Sequence, residues 1–122
     1  MKLYSAILGI SLGSFFSASA MKCGGEVIQK RQDENKFIRE TLTQKNDQEK
    51  KYLIISKREN KETKALSYSG IIGDLFYDEK TSTYDILSGM NQTWLGDFDD
   101  KTSEDYKKLE QDWLKLQKQL ES

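Results

Sequence analysis

Between Glu26 and Phe98 the chain divides into short apolar runs separated by polar clusters at intervals of roughly 8–12 residues, the rhythm of an antiparallel meander. Glu26 to Arg31 (EVIQKR) predicts a first strand, ended by Asp33, Glu34 and Asn35. Lys36 to Gln44 (KFIRETLTQ) alternates, with Ile38, Glu40 and Leu42 facing one way and Phe37, Arg39 and Thr41 the other. It reads as a strand, with a helix as the rival because Ile38 and Leu42 also stand one helical turn apart. Lys51 to Arg58 (KYLIISKR) gathers Tyr52, Leu53, Ile54 and Ile55 in one run, which suits a largely buried strand with soluble lysine flanks.

The polar stretch Glu59 to Glu62 turns the chain, and Ala65 to Ser69 returns with Leu66 and Tyr68 on one face. Ile71 to Tyr77 and Thr83 to Leu87 then form the arms of a hairpin around the polar loop Asp78 to Ser82. Gly70 and Gly73 mark a bend or bulge where the sheet coils over its core. A last strand, Gln92 to Phe98 (QTWLGDF), follows a turn at residues 88–91.

Beyond this point the period changes. Tyr106, Leu109, Trp113, Leu116 and Leu120 are spaced three, four, three and four, the stripe of an amphipathic helix over residues 103–121. Thr102 and Asp105 match the T-x-x-D form of a capping box, and Glu104 and Asp105 put negative charge where the helix dipole favours it. The expected fold is therefore α+β: an antiparallel meander of five to six strands within residues 26–98, as an open coiled sheet or a small barrel, followed by a C-terminal helix. The stripe predicts a helix lying on its own sheet, and it also fits a short coiled-coil seam that would make a homodimer.

The front of the chain predicts an address. Met1 and Lys2, the apolar run Leu3 to Phe16 and the small polar stretch Ser17 to Ala20 have the layout of a secretory signal peptide. The run is shorter than the roughly 20 apolar residues that span a bilayer, so no permanent membrane anchor is expected. Ala18 and Ala20 fill the small-residue positions before a cut at Met21, leaving one exported domain, residues 21–122, secreted or periplasmic. Lys22 stands where lipidation of Cys23 would require a small residue. With one cysteine there is no internal disulfide, and the fold must hold by packing.

Charge refines the picture. From Met21 to Lys64 there are 12 basic and 8 acidic residues, whereas from Ala65 to Ser122 there are 6 and 12. The near-neutral balance excludes a typical nucleic-acid binder, and the acidic second half suits a cationic partner. The chain contains no histidine, which removes the commonest general base, the histidine-activated nucleophiles and most zinc sites. No catalytic residue, cofactor or metal is predicted. Asp97, Asp99 and Asp100 (in DFDD) offer oxygens but fail the calcium-loop pattern, and the GIIG of residues 70–73 lacks the cation of a phosphate-clamping loop. Asn91-Gln92-Thr93 is a glycosylation sequon that counts only in a eukaryotic host.

Trp94, Leu95 and Phe98 are candidates for an exposed recognition patch, and Trp94 and Phe98, with Asp97, Asp99 and Asp100, are the candidate partner contacts. Even spacing also places Trp94 and Phe98 together on a core-facing side of their strand. These features predict a non-enzymatic exported protein that binds a macromolecular partner, with an inhibitor of a basic secreted enzyme as one member of that class. A barrel-like carrier of a small apolar ligand and a homodimer through the terminal helix are the alternatives.

Overall fold

The computed structural model describes residues 26–87, 89 and 91–121; the expected leader with Ala18, Ala20 and Met21, and Cys23 with it, lie outside the described residues. Strands β1 (Val27–Asp33), β2 (Phe37–Asn46), β3 (Lys51–Asn60), β4 (Leu66–Asp78), β5 (Thr83–Ile86) and β6 (Gln92–Phe98) precede one helix, α1 (Glu104–Glu121). All pairings are antiparallel. The first four strands neighbour one another in chain order; β4 then pairs with β6 through Tyr68–Gly73 and with β5 through Leu75–Asp78. The six strands form an antiparallel sheet that curls into a half-barrel, and α1 packs against β1, β2, β3 and β4.

The inner face follows from register. Leu42 lies opposite Ile55, and Gln44 opposite Leu53, so the period-two alternation of β2 and β3 delivers one apolar set to the helix. From α1 come Tyr106, Leu109, Trp113 and Leu116, each at most 4% exposed, which join Val27, Leu42, Leu53, Ile55 and Tyr68 in one core. Tyr68 meets the Tyr106 ring edge-on at 5.1 Å between centroids, and Lys57 lays its ammonium 5.0 Å from the Trp113 ring centre while pairing with Glu40 at 3.6 Å. Burial, with Glu110, Tyr106 and Glu40 nearby, pushes the Tyr68 phenol up to about 12, so it stays neutral in the core. The helix C-terminal half is tied to β2 by Gln44 Nε2, which donates to Gln119 Oε1 at 2.8 Å.

Three local features depart from the expected detail. Ala65 to Ser69 and Ile71 to Tyr77 are one strand, because Gly70 stays in the ladder opposite Ile55. The irregularity lies across the ladder: between Gly70 and Ile71 the register with β6 shifts, and β6 carries the extra residue at Leu95, next to Gly96 at φ +117°. That slip reverses the facing of the residues before it, so Trp94 and Phe98 lie on opposite faces despite their even spacing. Finally, Ser103 caps α1, its Oγ accepting the Tyr106 amide hydrogen bond at 3.0 Å. Thr102 is held instead by Asp100 Oδ1, which accepts from its amide at 2.9 Å and its hydroxyl at 2.7 Å.

Candidate functional site

The β6 bulge and the first two turns of α1 together open a groove beside the core. Because the extra residue turns Leu95 toward the helix side, Leu95 joins Phe98, Leu53 and Leu109 as its apolar walls, and Asp105, Lys108 and Asp112 bring charge to it. Its volume is about 250 Å³. Gly96 makes the wall possible: a Cβ there would stand 2.4 Å from Phe98 Cζ, so the missing side chain is what lets the ring fold back along its own strand.

Asp112 is the unusual member. It stands three residues after Leu109 and four before Leu116, on the buried side of the helix, and only 6% of its surface is exposed. Its carboxylate makes no hydrogen bond and no ion pair within 4 Å to any described residue. Burial raises its pKa above the usual carboxylate range, against the smaller opposing pull of Lys115 and Lys108. A buried carboxyl in a cleft whose environment disfavours its charge singles out this groove as the candidate site. Asp105, one turn and three residues earlier, is exposed at the mouth.

Of the candidate partner contacts read from the sequence, one lines this groove and four lie elsewhere. Phe98 lines it. Trp94, 66% exposed, pairs with Ile71 on the outer face of the sheet, in a cross-strand row with Ile54, Thr43 and Ile28. Asp97 points to that same outer face, 3.8 Å from Arg58. Asp99 and Asp100 occupy the exposed link from β6 to α1, where hydrogen bonds from the Thr102 hydroxyl and amide hold the Asp100 carboxyl below its ordinary range. The five residues therefore divide between the groove, the outer face and the β6–α1 link, rather than forming a single patch.

Sequence reasoning missed Asp105 and Asp112 as site residues. Asp112 had a signal, since it is a carboxylate set within an otherwise apolar helical stripe. Leu95, read from the sequence with Trp94 and Phe98 as part of an exposed patch, is turned inward by the bulge and packs against the core. Among the described residues no group of three or more acidic or sulfur ligands is placed to hold a metal ion, and no helix is long and apolar enough to cross a membrane. No protein-family model, curated protein or solved structure matches the chain.

Proposed function

We propose that the chain is an exported, non-enzymatic binding protein whose partner is a basic macromolecule, met by the acidic end of the fold where β6 passes into α1. The observation that carries this reading is the groove itself: apolar walls with a buried carboxyl at Asp112 and a second carboxylate at Asp105, in the part of the chain where Asp97, Asp99, Asp100 and Glu104 also fall close in sequence. Apolar surface supplies contact area and the surrounding acids supply steering toward a cation. An inhibitor of a basic secreted enzyme fits this surface.

The alternatives find less support. A small-ligand carrier needs free interior space, whereas among the described residues Trp113 and Leu116 of α1 are buried in the core between helix and sheet, and the groove falls below the roughly 300–1,000 Å³ that ordinary ligand clefts enclose. A homodimer through the helical stripe needs a face that α1 spends on its own sheet. The test is binding of a basic secreted enzyme, a lysozyme first, by titration calorimetry at about 50 mM and about 300 mM salt, the range over which screening shortens from roughly 14 Å to under 8 Å. Affinity that falls at least tenfold, and falls likewise in the triple variant Asp97→Asn, Asp99→Asn, Asp100→Asn, supports the reading. Salt-insensitive binding, or none across a panel of such enzymes, counts against it.

A further inference from the structure

We infer that the groove between β6 and α1 receives one lysine or arginine side chain of the partner, with its aliphatic stem on Leu95, Phe98 and Leu109 and its cation at Asp112. This rests on the reading of a basic protein partner and adds to it a defined subsite.

The groove's dimensions favour a single side chain. At about 250 Å³ it lies just under the roughly 300–1,000 Å³ of ordinary ligand clefts. That is small for a lipid or a cofactor and sufficient for one extended cationic side chain. Its lining is also divided as such a side chain is divided: four carbon walls for the stem, and a polar part of two carboxylates and one lysine, net negative, for the charged head. The Phe98 ring, fixed over Gly96, adds a face on which a guanidinium or ammonium can rest.

Asp112 gives the subsite its chemical demand. It is 94% buried by the same measure that leaves 6% exposed, lines the groove, and receives no hydrogen bond from the described residues. Such a carboxylate gains most from a cation that enters from outside and excludes water as it does so. The charged groups that face it are Lys108, one turn earlier, Lys115, three residues later, and Asp105 at the mouth; the two lysines do not offset its burial. An arriving cation shares the groove with Lys108, whose pull on Asp112 is smaller than the effect of burial.

The experiment is a titration of the whole chain, followed by amide chemical shifts, with Nα-acetyl-lysine-N-methylamide and its arginine counterpart. The norleucine analogue, which has the same stem and no charge, is the control. The expected result is a dissociation constant on the order of 1–10 mM, suited to so small a ligand, with shifts at Leu95, Phe98, Leu109 and Asp112. Asp112→Asn should weaken it at least fivefold and the norleucine analogue should move nothing. Lys108→Gln, which removes a competing cation from the groove, should tighten it about twofold. Equal shifts with norleucine would make the groove an apolar site and overturn the inference. No shifts at these residues, or shifts unchanged in Asp112→Asn, would overturn it as well. If the groove stays silent while a basic enzyme still binds in a salt-sensitive way, the subsite fails and the wider reading stands; if neither binds, both fail.

Discussion

Gly73→Ala should be among the most costly single-methyl additions to this fold. Gly73 faces Tyr52 across the β3–β4 ladder, and a Cβ there would lie 2.4 Å from the Tyr52 hydroxyl oxygen, 2.5 Å from Cζ and 2.6 Å from Cε1. The ring has nowhere to retreat: Tyr52 is fully buried, and Gln92 Nε2 donates to its hydroxyl at 2.8 Å. Overpacking of this kind costs about 1–3 kcal/mol, and loss of the hydrogen bond about 1 kcal/mol more. Relief of glycine's unfolded-state entropy returns roughly 0.5–1 kcal/mol. The net is a loss of about 2–3 kcal/mol, or a Tm lower by about 10–20 °C for a domain of this size. Urea unfolding followed by tryptophan fluorescence measures it, since Trp113 is buried in the folded state. Repeating the substitution in a Tyr52→Val background isolates the cause: there the methyl has room, and Gly73→Ala should cost under about 0.5 kcal/mol. Equal costs in both backgrounds would refute the argument that the ring and the glycine share one space.

Three further outcomes check other parts of the structure. Ser103→Ala should lower stability by about 1 kcal/mol as a lost helix cap, whereas Thr102→Val should act mainly by freeing Asp100; thermal melts of the two distinguish the observed cap from the capping box. Leu109→Asp puts a charge into the core rather than onto a dimer seam, so circular dichroism should show an unfolded chain, and a folded monomer would restore the coiled-coil reading. Asp112→Leu should stabilise by about 1–2 kcal/mol near pH 7, because an apolar residue replaces a buried carboxylate. The sign follows from the raised pKa: the folded chain holds this proton more tightly than the unfolded one. The burden on stability is thus absent below about pH 4 and grows as pH rises through the folded value. The variant's advantage should vanish in acid, as denaturant titrations at several pH values would reveal; an advantage independent of pH would mean that the charge plays no part.

The elements themselves were legible because their signals are local. Period-two alternation in β2, the Tyr52–Ile55 run in β3 and the three-four spacing of α1 each follow from neighbours a few residues apart. What was hidden depends on strands far apart in sequence. Gly70 and Gly73 look like punctuation in a single strand, and only the partners show that Gly70 stays in the ladder while the extra residue falls on β6. The facing of Trp94 was misread for the same reason, since one inserted residue reverses every facing before it. Phe98 and the acids at 97, 99 and 100 were picked out by composition and chain position, but the groove that Phe98 lines exists only where the bulge meets the helix. Asp112 could have been found earlier, by asking why a carboxylate interrupts an apolar stripe.

A half-barrel, unlike a closed one, leaves strands at its margins with unspent backbone hydrogen-bonding groups. Among the described residues β1 pairs only with β2, and β6 only with β4. Each margin carries its own deterrent to stacking with another molecule. On β1, Lys30, Arg31 and Asp33 are exposed along a strand of seven residues. On β6, the bulge at Leu95 and Gly96 breaks the flat template that an incoming strand would need. The same inserted residue that opens the groove therefore also breaks the regular edge of β6, so a deletion that regularised β6 is expected to raise aggregation, read by light scattering, along with closing the groove.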